Sequence, residues 1–290
     1  MSPLNQRDAA AGAKAGGDAA NNVMLRIASA AVLAPIAIGF AYIGGWLFLA
    51  LCAAAAARIL WEWMRLVADH PDRRMLLLGF AALIAAFFLT GFDEPAAAAT
   101  IVIGAALAGG TLMAPARNSV GWAMGGIFYA GIAFLGPAVL RRDPTLGFTA
   151  VLFVALTVWA TDICAYAAGR AIGGPLLWPE ISPHKTWAGA MGGVLGGVAA
   201  GTMVAYASGI GMLAAIGVIA LLLSLLTQVG DLFESAVKRR FGAKDASYLI
   251  PGHGGLMDRL DGFLVAGFAG LLIGLIRAGI AAPAQGLLVW

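Results

Sequence analysis

The sequence predicts an all-α fold, a polytopic integral membrane bundle of about nine transmembrane helices. Of its 290 residues, 61% are hydrophobic and only 11% are charged, whereas soluble domains carry about 25% charged residues. So few polar groups cannot cover a soluble protein of this size. The high apolar content and the net charge of only +3 exclude a disordered chain and a nucleic-acid-binding domain. No nucleic-acid partner is therefore expected.

The first 22 residues differ in composition from the rest of the chain. Residues 1–22 are rich in Ala, Gly and Asn without apolar periodicity, which predicts a flexible N-terminal tail. The apolar run that follows is interpreted as an uncleaved first helix and not as a signal peptide, because a second apolar run begins almost at once. Residues 23–290 are then expected to form a single transmembrane domain.

A helix needs about 20 apolar residues to cross a bilayer core. This criterion places nine spans, separated by glycine turns or polar breaks, at 25–43, 45–64, 75–91, 96–114, 119–139, 147–169, 187–207, 210–229 and 262–281. The two longest breaks are 170–186 and 230–261.

The distribution of Lys and Arg tests this layout. With the N-terminus in the cytoplasm and nine alternating spans, 15 of the 18 basic residues fall on the cytoplasmic side, as the positive-inside rule requires. The far side keeps Arg141, Arg142 and Arg277. The layout predicts a multi-pass protein of a bacterial-type inner or plasma membrane, with the N-terminus and both long breaks in the cytoplasm.

Glycines recur at every fourth position of the seventh predicted span: Gly189, Gly193, Gly197 and Gly201. Such a stripe lets helix backbones approach one another closely. A nucleotide-binding glycine loop is the less favoured interpretation, because no strand precedes the stripe. The stripe also raises the expectation of a homodimer.

Charged groups at membrane depth are costly and are functional candidates by default. Asp162 lies inside the sixth predicted span and shares a helical face with Tyr166 and Arg170. A structural alternative is an internal ion pair between Asp162 and Arg170. The functional interpretation is favoured.

A short polar segment, predicted to be a loop, precedes the glycine-striped helix. It places the hydroxyls of Ser182 and Thr186 around Lys185. A helix N-terminus with free backbone N–H groups, flanked by a lysine, is suited to bind phosphate. His184 is equally compatible with a solvated surface residue.

The densest polar segment is 230–261. Asp231, Glu234 and Lys238 are spaced to line one helical face, and Asp258 and Asp261 form a second acidic pair. Between them, the glycines of Pro-Gly-His-Gly-Gly let the backbone approach a ligand. Carboxylates at this spacing suit Mg²⁺, which takes oxygen ligands and keeps water or phosphate oxygens.

The same segment supplies cations for a polyphosphate or an anionic head group, namely Lys238, Arg239, Arg240, Lys244 and Arg259. A basic juxtamembrane loop that only attracts anionic lipid is the structural alternative. That alternative does not explain the accompanying aspartates and glycine turn.

Residues 235–261 resemble the signature of the phosphatidate cytidylyltransferases, also called CDP-diacylglycerol synthases. The signature reads S-x-x-K-R, four residues, K-D, a spacer, then P-G-H-G-G-x-x-D-R-x-D, and every fixed position is present. Residues 162–193 resemble a second family block, Asp-Thr-Gly-Ala-Tyr followed by Ser-Pro-x-Lys-Thr-Trp-Glu-Gly. Here Ile163 and Cys164 replace Thr-Gly, and Ala188 replaces the Glu.

The resemblance implies transfer of a cytidylyl group from CTP to phosphatidic acid in phospholipid biosynthesis, with CDP-diacylglycerol and pyrophosphate as products. The transmembrane domain 23–290 is then catalytic, with cytoplasmic active-site segments 162–188 and 230–261 and membrane lipids around it. Two alternatives remain: a CTP-dependent lipid-alcohol kinase, and a lipid transporter or flippase in which Asp162 and broken helices line a path.

The resemblance also implies residue roles. The expected catalytic residues are Asp231, Lys238, Arg239, Lys244, Asp258 and Arg259. The expected substrate-binding residues are Ser182, Lys185, Thr186, His253, Gly254 and Gly255. The expected Mg²⁺ ligands are Asp231, Asp258, Asp261 and Asp162, and a second metal or a monovalent cation is left open. Ala188 removes a carboxylate beside the phosphate-binding segment, so any contact of that group is absent or supplied elsewhere.

Overall fold

The computed structural model describes residues 32–68, 72–112, 120–243, 246–247 and 255–290. The predicted tail 1–22 and three predicted site residues, Lys244, His253 and Gly254, lie outside the described residues. The described part of the chain forms ten α-helices and one two-stranded antiparallel sheet: α1 Val32–Ile43, α2 Gly45–Val67, α3 Arg73–Gly91, α4 Pro95–Leu112, α5 Val120–Arg141, α6 Gly147–Ile172, β1 Leu176–Trp178, β2 Ser182–Thr186, α7 Trp187–Ala207, α8 Leu213–Arg240, α9 Met257–Ala278 and α10 Pro283–Leu288.

This architecture confirms the all-α class, and a helix occupies each of the nine predicted spans. Seven described helices are long and apolar enough to cross a membrane, as expected of a multi-pass membrane protein. Two further apolar helices, Val32–Ile43 and Pro95–Gly110, are shorter. The count of nine spans therefore stays a prediction.

The turns at one end of the bundle are tied together by two arginines. Arg141 donates through Nε to the carbonyl of Ala41 and through Nη2 to the carbonyl of Tyr42 at 2.9 Å. Arg142 forms an ion pair with Asp93. These contacts join the α1–α2, α3–α4 and α5–α6 turns at the same end, as the alternating layout predicts.

The buried Asp143 lies in the turn that precedes α6 at this end. Its carboxylate accepts hydrogen bonds from the backbone N–H groups of Thr145 and Leu146 at 3.0 Å and of Gln285, in α10, at 3.2 Å. Burial alone would raise the pKa of Asp143. The hydrogen bonds lower the pKa by more than burial raises it, so the pKa lies below its ordinary value. A deprotonated Asp143 therefore fixes α10 to the start of α6.

The predicted break 170–186 contains more regular structure than expected. Its Ser-Pro-His-Lys-Thr segment, predicted as a loop, is strand β2, which pairs with β1 through Leu176–Thr186 and Trp178–Ser182. The preceding helix ends at Gly173 and Gly174, whose φ values of 68° and 96° suit glycine. That sharp ending redirects the chain into the hairpin.

The predicted break 230–261 is also shorter than expected. α8 continues to Arg240, and α9 begins at Met257. Counting apolar residues ended the span at 229 because acidic residues follow. Asp, Glu and Lys are nevertheless compatible with helix when they lie on one face, so the helix extends beyond the apolar region.

The glycine stripe packs inside the chain. Its four glycines are buried on α7. A Cβ atom on Gly193 would lie 2.9 Å from the carbonyl oxygen of Thr161, and one on Gly197 would lie 2.9 Å from Ser224 Oγ. The predicted close helix packing is confirmed, against α6 and α8. Because this face is already used within the chain, the stripe no longer supports a homodimer.

Candidate functional site

The C-terminal part of α6, strand β2, the end of α8 and the start of α9 meet at one end of the bundle. The last two approach closely at glycines. A Cβ atom on Gly230 would lie 2.8 Å from the carbonyl oxygen of Asp261, and one on Gly262 would lie 2.6 Å from Thr227 Cγ2. This contact brings Asp231 of α8 and Asp261 of α9 close together.

An ion pair joins the two polar segments that the sequence analysis singled out. Lys185 Nζ on β2 lies 2.5 Å from Asp231 Oδ2 on α8. The two side chains are 25% and 37% exposed, so water and ligands can reach them. Although 46 residues separate them in sequence, Lys185 and Asp231 belong to a single site.

Asp162 faces the same region from α6. It is exposed and interacts electrostatically with Asp231, Asp261 and Lys185. Arg170, the predicted structural partner of Asp162, instead donates from Nη1 to Tyr166 Oη at 3.1 Å. The described contacts therefore place Asp162 among the acidic residues of the site.

Lys238 is the centre of a second, less exposed group. Its Nζ lies 2.6 Å from Asp258 Oδ1 and 3.3 Å from Glu234 Oε1. Glu234 is only 1% exposed and lies beside Asp258 and Asp261. The sequence analysis placed Glu234 on this helical face without giving it a role.

Asp258 orders the backbone around it. Its Oδ2 accepts hydrogen bonds from the N–H of Gly255 at 2.7 Å and the N–H of Ala246 at 3.0 Å. A carboxylate in the first turn of α9 is favoured by the helix dipole, and this one also binds two backbone N–H groups that precede the helix. Both of its oxygens are therefore engaged, one by Lys238 and one by backbone N–H groups.

Four other predicted site residues lie at the edge of this region, namely Ser182, Thr186, Arg239 and Arg259. Thr186 Oγ1 accepts a hydrogen bond from the N–H of Gly189 at 3.1 Å and so caps α7. Ser182 begins β2, and the side chains of Arg239 and Arg259 are exposed at the helix ends. Sequence reasoning thus identified residues that the fold collects at one end.

A buried carboxylate on α2 completes the site region, and the sequence analysis missed it. Glu62 accepts hydrogen bonds from Ser247 Oγ at 2.7 Å, the N–H of Leu256 at 3.0 Å and the N–H of Met257 at 2.7 Å. Arg58 Nε donates to the same carboxylate at 3.0 Å.

A signal for Glu62 was present in the sequence. A glutamate within an apolar span is a functional candidate by the same argument that selected Asp162. Its partners Ser247, Leu256 and Met257, however, lie almost 200 residues further along the chain. The role of Glu62 could therefore not be deduced from local spacing.

Gly255 lies between the two carboxylates. Its N–H donates to Asp258, and a Cβ atom there would lie 2.7 Å from Glu62 Oε2. Glycine at this position thus permits the backbone to pack against Glu62. This explains the final glycine of Pro-Gly-His-Gly-Gly without a ligand.

Three residues depart from the family's second block, and the structure shows the environment of each. Ile163 is 67% exposed. Cys164 packs on α7, where a Cβ atom on Gly196 would lie 2.6 Å from the Cys164 Cβ atom. Ala188 lies half-buried in the first turn of α7, and the carboxylate paired with the neighbouring Lys185 is that of Asp231.

No preformed metal centre is visible in the described ranges. Within them, no group of three or more His, Cys, Asp or Glu side chains is arranged to hold one metal ion. The predicted ligands Asp231, Asp261 and Asp162 lie near one another, whereas Asp258 is turned towards Lys238 and the start of α9.

Known proteins resemble nearly the whole chain. A family model described as the cytidylyltransferase family matches residues 24–275. A phosphatidate cytidylyltransferase of Brucella suis biovar 1 (strain 1330) is 41% identical over 265 residues, which cover 89% of this chain and 95% of that protein. One of Bacillus subtilis (strain 168) is 36% identical over 148 residues, or 51% of this chain and 55% of that protein.

Proposed function

The chain belongs to the phosphatidate cytidylyltransferases, and we propose that it transfers the cytidylyl group of CTP to phosphatidate where β2, α6, α8 and α9 meet. The ion pair between Lys185 and Asp231 supports this location of the active site. It joins the two segments that resemble the signature and the second block of the family. The products are CDP-diacylglycerol and pyrophosphate.

The reaction needs no nucleophile from the protein. A phosphate oxygen of phosphatidate attacks the α-phosphorus of CTP and forms the new P–O bond. The bond from the α-phosphorus to the oxygen that bridges it to the β-phosphorus breaks, and pyrophosphate leaves with the bonding electrons. The protein must align two polyanions and offset their repulsion, which is catalysis by positioning and electrostatics.

The charge of the site supports a requirement for a divalent cation. Among the inner side chains of the site, the carboxylates of Asp162, Asp231, Asp258 and Asp261 outnumber the two lysines, Lys185 and Lys238. Such a surplus of negative charge repels both substrates. Positive charge must therefore accompany CTP into the site.

We infer that Mg²⁺ is that cation. Mg²⁺ commonly binds to one or two carboxylates together with substrate phosphates and water, so it does not require three protein ligands. Asp231 and Asp261 fit this role because the close α8–α9 contact brings them together, and Asp162 faces them. When bound, Mg²⁺ supplies positive charge to the phosphate oxygens and polarises the α-phosphorus.

Asp258 has a different role in this proposal. Because its oxygens accept from Lys238, Gly255 and Ala246, it holds Lys238 and the start of α9 in place. Lys185 and Lys238 provide the positive charge that lies deepest in the site. Arg239 and Arg259 lie where phosphate oxygens can approach from outside. Lys244 and His253 keep the substrate roles that the signature implies.

The experiment uses purified full-length protein with phosphatidate and CTP labelled at either the α- or the γ-phosphate. We expect α-label in the lipid and unlabelled lipid from γ-labelled CTP, with loss of transfer after chelation of Mg²⁺. Incorporation of γ-label into diacylglycerol would instead indicate the kinase. Movement of lipid without transfer of either label would indicate a transporter.

We further propose that the site faces the cytoplasm of a bacterial-type inner or plasma membrane. The far end of the bundle carries Arg141 and Arg142, whereas most basic residues belong to the site end, which agrees with the positive-inside rule. Single cysteines replacing the exposed Glu180 in the hairpin and the exposed Glu94 in the α3–α4 turn test this. In intact cells, an impermeant thiol reagent should label only Glu94→Cys.

A further inference from the structure

We propose that Glu62 on α2 is a positioning residue, which sets the geometry of Lys238 and Asp258 through the backbone at the start of α9. The inference rests on the proposed function, because it assigns a kinetic role to a group that the reaction itself does not use. It goes beyond the two family blocks, since Glu62 lies a hundred residues before the first of them.

Glu62 contacts the start of α9 with both of its carboxylate oxygens. Glu62 Oε1 accepts from the N–H of Leu256 and Oε2 from the N–H of Met257, at 3.0 and 2.7 Å. These N–H groups belong to the start of α9 and have no partner within that helix. Negative charge is favourable at this end of the helix dipole. Glu62 therefore caps α9 from a different part of the bundle.

Glu62 and Asp258 also hold the same two stretches of the chain, 246–247 and 255–257. Ser247 Oγ donates to Glu62 at 2.7 Å, and the N–H of the adjacent Ala246 donates to Asp258 at 3.0 Å. On the other stretch, the N–H of Gly255 donates to Asp258, and the next two N–H groups donate to Glu62. Displacing either carboxylate must therefore move the other one's donors.

Glu62 is buried away from the surface that substrates can reach. The side chain of Glu62 is 0% exposed, and Arg58, its counter-ion, is 28% exposed. A buried carboxylate is tolerated only when it is paired and hydrogen-bonded. Four donors from Arg58, Ser247, Leu256 and Met257 meet that requirement. Glu62 thus acts on the reaction through Asp258 and Lys238, without touching CTP or phosphatidate.

Glu62→Gln tests the proposal. The amide keeps the shape of the side chain but replaces one acceptor oxygen with a donor NH₂ group, which must face another donor. A displacement of about 1 Å in a site can cost on the order of 100-fold in rate. We expect kcat to fall roughly 10- to 100-fold, while KM for CTP and for phosphatidate changes by less than about threefold.

Glu94→Gln is the matched control, because the same chemical change is made at an exposed carboxylate at the far end of the bundle. Hydrogen exchange followed by mass spectrometry supplies a second measurement. In Glu62→Gln, the amides of Leu256 and Met257 should exchange faster, whereas α5 and α6 should keep the protection of the wild type.

Three results would overturn the proposal: a kcat for Glu62→Gln within twofold of Glu94→Gln, unchanged exchange at Leu256 and Met257, or faster exchange throughout the bundle. The last result would make Glu62 a general stabilising residue. If the wild-type protein transfers no α-label, the proposed function fails instead. Local exchange at the start of α9 would still report whether Glu62 anchors it.

Discussion

Replacing Asp258 with Asn should lower the rate of cytidylyl transfer on the order of 100-fold, and Mg²⁺ at any concentration should not restore it. In the structure, Asp258 receives Lys238 Nζ at 2.6 Å on one oxygen and two backbone N–H groups on the other. Asn keeps the size of the side chain but has a single acceptor oxygen and no charge. At least one of these donors must lose its partner.

The magnitude follows from those contacts. Hydrogen bonds to charged groups contribute about 1.5–3 kcal/mol, and the Asp258–Lys238 pair is largely buried, with side chains 9% and 14% exposed. If poorer alignment of the reacting groups raises the activation free energy by about 2.7 kcal/mol, the rate falls 100-fold, because about 1.36 kcal/mol changes a rate tenfold.

The assay measures transfer of α-label from CTP to phosphatidate by purified protein. Asp72→Asn is the matched control, because Asp72 is exposed and caps α3 and Asn caps helices about as well as Asp. The control should retain wild-type turnover. Near-normal turnover by Asp258→Asn, in a protein that elutes and unfolds like the wild type, would refute the reasoning.

Three further predictions concern separate features. Lys185→Ala, which breaks the ion pair with Asp231, should raise KM for CTP or phosphatidate about tenfold with a smaller effect on kcat; unchanged affinity for both would remove β2 from the site. Gly197→Ala should lower the thermal unfolding midpoint by several degrees, since overpacking costs about 1–3 kcal/mol, whereas Gly104→Ala, with nothing within 4 Å of its Cβ position, should not. Because the pKa of Asp143 is lowered by folding, its stabilising effect is present above the unfolded pKa of about 3.9 and is lost as pH falls through the folded pKa. Acid should therefore destabilise the wild type more steeply than Asp143→Asn when thermal unfolding is followed from about pH 5 down to about pH 2.

The positions of the helices could be predicted because they depend on local composition. The lengths of the apolar runs located the helices, and the basic residues distinguished the two ends of the bundle. Counting apolar residues failed where a helix continues beyond the apolar region, as α8 does through Asp231 and Lys238 to Arg240. Strand β2 was missed because its five residues show no apolar alternation, and the strand forms only by pairing with β1.

The site was predictable only in part, for a related reason. Spacing on one helix placed Asp231 and Lys238 on the same face, and the structure agrees. Spacing could not show that Asp258 would be engaged by Lys238 and backbone N–H groups, nor that Glu62 would cap α9. Such contacts depend on how helices that are far apart in sequence pack together. Local patterns in a single sequence do not show that packing.

The packing of α6 on α7 has a mechanical consequence for the enzyme. At the base of the hairpin, a Cβ atom on Gly169 would lie 3.5 Å from the Cα atom of Gly189, so the close contact between α6 and α7 fixes both ends of the hairpin that carries Lys185. The close contact between α8 and α9 at Gly230 likewise holds Asp231 in place. The half-exposed ion pair between these two side chains is weak, since such pairs contribute about 0–1 kcal/mol. An arriving phosphate can therefore replace Asp231 as the partner of Lys185 at little cost. Substrate binding then requires a change of ion pair and no movement of the helices that hold these two side chains.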